Sequence, residues 1–250
     1  MRPGSLALLG VAAYSAFLVA TMPARWLAER LLPPGPGRIA VQEVEGTIWQ
    51  GAARAAIGGY AGTFTIDRIE WSFLPSRLLQ GRWAYGVTVR GAGFDARSEL
   101  GRSFGGWALR DLAARADSAV ATALLPWTRP WRPEGSLTAA SKALDIDGQD
   151  ARGELRIEWT GAATALSELK PLGTYRADAI AEGPAARVTV STLAGPLRVS
   201  GQGRLAFPSQ FTFSGEARGE GTGATALEPL LDLLGPRRPD GARAIEWRAR

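Results

Sequence analysis

From residue 39 onward apolar side chains recur at every second position, and this pattern confines the chain to sheet before any motif is considered. In GRWAYGVTVRG (residues 81–91), Trp83, Tyr85, Val87 and Val89 fall on one face, and Arg82, Ala84, Thr88 and Arg90 on the other. GELRIEWTG repeats the device, with Leu155, Ile157 and Trp159 opposing Glu154, Arg156 and Glu158. Segments 63–73, 135–146, 173–181, 186–193, 196–207, 211–213 and 242–249 read the same way. About ten half-buried strands at this spacing favour an antiparallel sheet. The 31 glycines and 16 prolines punctuate them as turns. The fold expected is mainly β: an N-terminal transmembrane helix followed by an antiparallel, curved β-sheet domain with one or two short helices.

Two departures from alternation carry information. Phe64 and Ile66 share one parity, but Ile69, Trp71 and Phe73 take the other, which predicts a bulge near Asp67 and Arg68. Residues 108–124 place Leu109, Leu112, Ala116, Val120 and Leu124 at helical spacing, and residues 224–234 end at Gly235 and Pro236; both are expected to be helices. The tripeptide IEW occurs at 69–71, 157–159 and 245–247 without further similarity around it, and reads as coincidence in a tryptophan-rich β protein.

The N-terminus breaks the β pattern. Residues 4–22, GSLALLGVAAYSAFLVATM, contain no charge and are flanked by Arg2, Arg25 and Arg30. As a helix they would span roughly 28 Å, about one hydrocarbon thickness. A cleaved signal peptide competes with an uncleaved anchor here; the length of the run and the intrusion of Pro23 and Arg25 favour the anchor. The organisation expected is a membrane anchor at 1–24, a proline-rich stem at 25–38 containing LLPPGPGR, and a β-rich domain at 39–250.

Composition removes most chemistry. Zero histidines and zero cysteines exclude thiol nucleophiles, disulfides, thiolate metal sites and imidazole acid–base schemes. The net charge of +5 alternates with acids along strands instead of forming a stripe, which argues against nucleic acid. Asp145, Asp147 and Asp150 form the densest acidic group, but Gly148 arrives too early for a calcium loop, so Asp147-Gly148 reads as a hairpin turn. No catalytic, cofactor-binding or metal-binding residues are expected, and the chain does not read as an enzyme.

One stretch stands out. In VEGTIWQGAA (44–53) a tryptophan lies between glycines, and strand geometry would set Thr47, Trp49 and Gly51 on one face with the indole plugging a core. Gly46, Thr47, Trp49 and Gly51 resemble the Gly-Thr-x-Trp-x-Gly signature of the type II secretion system protein N family. IEWSFLPSRLLQGRW is similar to that family's tryptophan, proline, leucine-leucine and glycine succession at Trp71, Pro75, Leu78, Leu79 and Gly81. PEGSLTAASKALDIDG with GELRIEW, and LEPLLDLLG at 227–235, extend the likeness over residues 5–247.

The resemblance implies a single-pass bacterial inner-membrane protein with a cytoplasmic N-terminus and a periplasmic domain. It would be an accessory of the machine exporting folded proteins across the outer membrane. Its partners would be the secretin or inner-membrane platform proteins, met by protein contact, with no cofactor. The signature residues Gly46, Thr47, Trp49, Gly51, Trp71 and Pro75 are expected to be structural. A different class stays open beside this: an AsmA-like envelope protein holding lipid in an apolar groove lined by some of the nine tryptophans.

Overall fold

The computed structural model describes residues 3–26, 39–59, 62–103, 105–124, 126–207 and 210–249. Helix α1 (Pro3–Ala20) is followed by thirteen strands: β1 (Ile39–Gly46), β2 (Gln50–Gly59), β3 (Gly62–Phe73), β4 (Trp83–Gly91), β5 (Phe94–Ser103), β6 (Gly106–Asp117), β7 (Pro133–Asp147), β8 (Asp150–Thr164), β9 (Gly173–Gly183), β10 (Ala185–Ala194), β11 (Leu197–Ala206), β12 (Gln210–Gly219) and β13 (Arg243–Ala249). Each strand pairs antiparallel with its neighbours in sequence, so spatial order equals chain order and β1 and β13 form the two edges. Helix α2 (Ser118–Leu124) joins β6 to β7, and α3 (Ala224–Leu234) lies between β12 and β13.

The register carries one apolar face across the sheet. Trp71 opposes Val87, Leu137 opposes Trp159, Trp159 opposes Tyr175, and Phe213 opposes Trp247. All three IEW tryptophans therefore share the apolar face, while Glu70, Glu158 and Glu246 take the other. On that polar face cross-strand pairs neutralise one another, as in Arg156 with Asp178 at 2.7 Å and Arg176 with Glu158 at 2.9 Å.

Much of the apolar face has no second layer. On it Trp83, Leu100, Trp107 and Trp247 are 39% to 47% exposed. Packing is concentrated where α3 folds back, at Leu172, Leu197, Ala217, Leu227, Leu230 and Leu231.

The expected bulge lies where the spacing placed it: Ala53 opposes Ile69 and Ala55 opposes Ile66, so Arg54 faces both Asp67 and Arg68. Asp147 and Asp150 close the β7–β8 hairpin, with Gly148 at φ +59. Helix α3 occupies 224–234 as expected.

Residues 108–117 are a correction, because they form the body of β6 and only Ser118–Leu124 is helical. Asp111 at φ +50 is a bulge between Arg110, which opposes Glu99, and Ala113, which opposes Arg97. That extra residue moves Leu112, Ala114 and Ala116 onto the face already holding Leu109, and the resulting three-residue step imitates a helical period.

At the N-terminus, α1 is helical over 18 residues. Among the described residues no helix is long and apolar enough to cross a membrane. The expected anchor is thus not confirmed by the fold. Of the proline-rich stem expected at 25–38, residues 27–38 lie outside the described residues.

Candidate functional site

Five of the six signature residues meet at the β1–β2 hairpin. Gly46 ends β1 at φ +85, where a side chain would strike the Gln50 carbonyl at 2.5 Å. Thr47 N–H donates to Gln50 O at 2.9 Å, and its hydroxyl oxygen accepts from the N–H groups of Trp49 and Gln50, each at 3.3 Å. Trp71 in β3 donates its indole N–H to Thr47 O at 3.1 Å. The indole lies against Gly51, where a Cβ would sit 2.4 Å from Trp71 Cζ2 and 2.4 Å from Glu45 O. Only a glycine leaves room for that ring.

Trp49 corrects the strand reading. It occupies the turn between β1 and β2, half-buried. Its indole N–H reaches out of the sheet to Val19 O at 2.8 Å, while the main-chain N–H of Ile48 donates to Met22 O at 3.0 Å and that of Phe73 to Trp49 O at 2.6 Å. The ring packs edge-on to Phe73 at 5.0 Å and beside Trp83 at 5.5 Å. The hairpin tip is therefore the joint between the C-terminal end of α1 and the sheet. Pro75 stands just beyond, opening the 3-10 turn Pro75–Gln80 that Gly81 ends at φ +68.

A second feature lies at the other end of the strands. An apolar cavity of about 460 Å³ is floored by Leu137, Trp159, Tyr175, Val190, Val199 and Trp247, with Trp131, Leu230 and Leu234 at its sides. Trp159 N–H is fixed by Ser118 Oγ and Glu134 O, both at 3.0 Å. Tyr175 donates to Leu197 O at 3.0 Å, and burial pushes its phenol well above the ordinary range. No local motif announces this cavity, because its lining comes from strands as distant as β7 and β13. The alternating tryptophans were its only trace.

A polar recess of about 930 Å³ crosses β2–β6 beside Arg68, Glu70, Arg97, Glu99 and Asp111. Its charges are largely spoken for: Arg68 binds Glu70 at 2.6 Å, and Arg77 binds Glu99 at 2.7 Å. The Arg68 hydrogen bond holds the Glu70 carboxyl below its usual range. Asp145 pairs with Arg110 at 2.5 Å, away from the Asp147–Asp150 turn. Among the described residues no group of three or more acids, histidines or cysteines is arranged to hold a metal ion.

Fold and site together define a class: an open antiparallel sheet in chain order, jointed at its first hairpin to an apolar helix. The family model described as Type II secretion system (T2SS), protein N matches residues 37–246. The chain belongs to that family. It is also similar to the Type II secretion system protein N of Pectobacterium carotovorum subsp. carotovorum, at 25% identity over 248 residues, covering 96% of this chain and 94% of the relative. No solved structure matches.

Proposed function

We propose that this protein is an accessory component of the type II secretion machinery, held in the bacterial inner membrane by α1 and working in the periplasm by protein contact without catalysis or cofactor. Family membership across residues 37–246 carries the secretion role. Support for the anchor is the character of α1, whose Leu9, Val11, Tyr14, Phe17, Leu18 and Val19 are all at least half exposed. A helix whose described apolar side chains stay exposed on every side from Leu9 to Val19 calls for a hydrocarbon surrounding. The N-terminus would lie in the cytoplasm.

The contact surfaces of such a sheet are its polar face and its free edges. The β1 edge is blunted by Glu43 at φ +48 and a register irregularity between Gln42 and Glu45. The β13 edge pairs with β12 in unbroken register, and on its outer side Ala244 N–H already donates to Pro236 O at 3.1 Å. By the two-residue alternation of an antiparallel strand, Glu246 and Arg248 turn their main chain outward, where a partner strand can add.

In vivo photo-cross-linking tests this reading. With photoreactive residues at Thr88, Glu154, Glu158 and Glu246, secretin or inner-membrane platform subunits are expected among the adducts. Recovery of no secretion subunit from any of the four positions would refute protein contact through the polar face and the β13 edge.

A further inference from the structure

We propose that the end of the sheet next to the α1 joint rests on the membrane surface, through Leu78, Leu79, Trp83 and Trp107. The inference rests on the anchor reading of α1. It adds a second, peripheral attachment that would fix how the sheet stands on the bilayer.

Three observations converge. The joint brings this end of the strands to the foot of the helix: the Trp49 indole N–H donates to Val19 O at 2.8 Å, and the Trp49 ring lies 5.5 Å from that of Trp83. If α1 crosses a bilayer, its C-terminal end lies at the interface. The strand ends joined to it by these contacts lie there too.

The second observation is exposure. In the turn between β3 and β4, Leu79 is 93% exposed and Leu78 47%; on the strands beside it Trp83 is 44% and Trp107 47% exposed. The register sets Trp83 opposite Arg102 and Arg102 opposite Trp107, so these side chains follow one another along the same end of β4, β5 and β6. Singly, each would be an ordinary surface residue. In a row beginning at the helix foot they form a belt of the kind that tryptophan makes at lipid headgroups.

Third, the charge matches an anionic surface. LPSRLLQGR, residues 74–82, carries two arginines and no acid. Arg77 is tied to Glu99 at 2.7 Å, which pins the turn carrying Leu78 and Leu79 to the sheet. The Arg102 guanidinium lies 4.9 Å from the centre of the Trp107 ring. Arginines next to apolar side chains suit the phosphate layer, with stems in the apolar zone and heads at the phosphates. Each strand in a sheet turns by about 20–25° relative to the last, so the belt is confined to the strands nearest α1.

The chain contains no cysteine, so one introduced thiol can be labelled uniquely. Full-length Leu79→Cys, Leu9→Cys and Thr189→Cys, each carrying the NBD fluorophore, are reconstituted in vesicles of phosphatidylethanolamine and phosphatidylglycerol with nitroxide at the headgroup or in mid-chain. The expected result is mid-chain quenching at Leu9, at least about twofold headgroup quenching and a blue shift at Leu79, and neither at Thr189 on the polar face. Quenching at Leu9 with Leu79 behaving like Thr189 overturns the resting surface and leaves the anchor standing. A blue shift at Leu79 without quenching also overturns it, since protein would then cover the site. Absence of quenching at Leu9 overturns the anchor reading, and this inference with it. Adding Leu79→Asp while moving the label to Arg82→Cys should lower headgroup quenching at position 82; unchanged quenching there counts against the proposal.

Discussion

Gly51→Ala is the sharpest test of why the hairpin sequence is what it is. The added methyl would lie 2.4 Å from Trp71 Cζ2 and 2.4 Å from the Glu45 carbonyl oxygen. A ring can tilt, but the carbonyl belongs to the strand paired with β2, through Glu45 opposite Ala52 and Gly46 opposite Gly51. The methyl therefore has to push β1 away or displace the indole and break its 3.1 Å bond to Thr47 O. Overpacking of this kind costs about 1–3 kcal/mol, and a main-chain obstacle puts the expected value near the top of that range. For a domain of this size about 2–3 kcal/mol corresponds to a fall in Tm of roughly 4–12 °C.

The assay is thermal unfolding of wild type, Gly51→Ala, Trp71→Phe and the double variant. Because Phe lacks the indole's outer ring atoms, the double variant should recover part of the loss, a coupling of about 1 kcal/mol. A Gly51→Ala protein that melts with wild type would refute the close-packing explanation. So would strict additivity in the cycle.

Three further outcomes are expected. Arg243 is 7% exposed and bound by Glu228 at 2.9 Å and Asp232 at 2.5 Å; Glu228→Gln with Asp232→Asn should cost about 3 kcal/mol in urea unfolding by stranding a buried cation. Val190→Phe points into the 460 Å³ cavity, so its Tm should stay within about 3 °C of wild type, where the same enlargement in a filled core would cost about 1–3 kcal/mol. Tyr175, whose folded pKa is raised by burial, contributes stability that is full below the ordinary tyrosine pKa and is lost as pH rises above it. Tyr175→Phe should therefore move the alkaline limb of a stability–pH profile to higher pH, and an unmoved limb would count against the burial.

The sheet was legible where β-branched and aromatic residues alternate, as in β4 and β8. It was hard to see in β2, QGAARAAIGG, and β5, FDARSELGRS, which lack that enrichment and owe their strand form to neighbours on both sides. β6 was misread as helix because the Asp111 bulge replaced a two-residue step with a three-residue one. The signature residues were visible as a group, yet Trp49 was assigned to a strand interior. Sequence spacing shows parity, but a turn between Gly46 and Gln50 cancels parity, and the indole's partner at Val19 lies 30 residues away. The cavity was the least visible feature, since its walls come from six strands, from α3 and from the segment between β6 and β7, which converge only in three dimensions.

The chain-order topology gives the two ends of the sheet different neighbours. Antiparallel neighbours turn alternately, so the β1–β2 hairpin, the Pro75–Gln80 turn and the β7–β8 hairpin all fall at the end joined to α1. Helices α2 and α3, together with the cavity, fall at the opposite end. A ten-residue strand is about 33 Å long, and the lining of the apolar cavity comes from the half of the strands away from the end joined to α1. Perturbations at the foot, such as Trp49→Phe, should then loosen the seat of the sheet on α1 while leaving the surroundings of Trp159 and Tyr175 unchanged. Only the strands themselves connect the two ends, and regular ladders transmit little unless they unfold. A shift of the Trp159 indole N–H resonance in the NMR spectrum on replacing Trp49, in a protein that still melts cooperatively, would show that the sheet bends as a unit and that seating at one end is felt at the other.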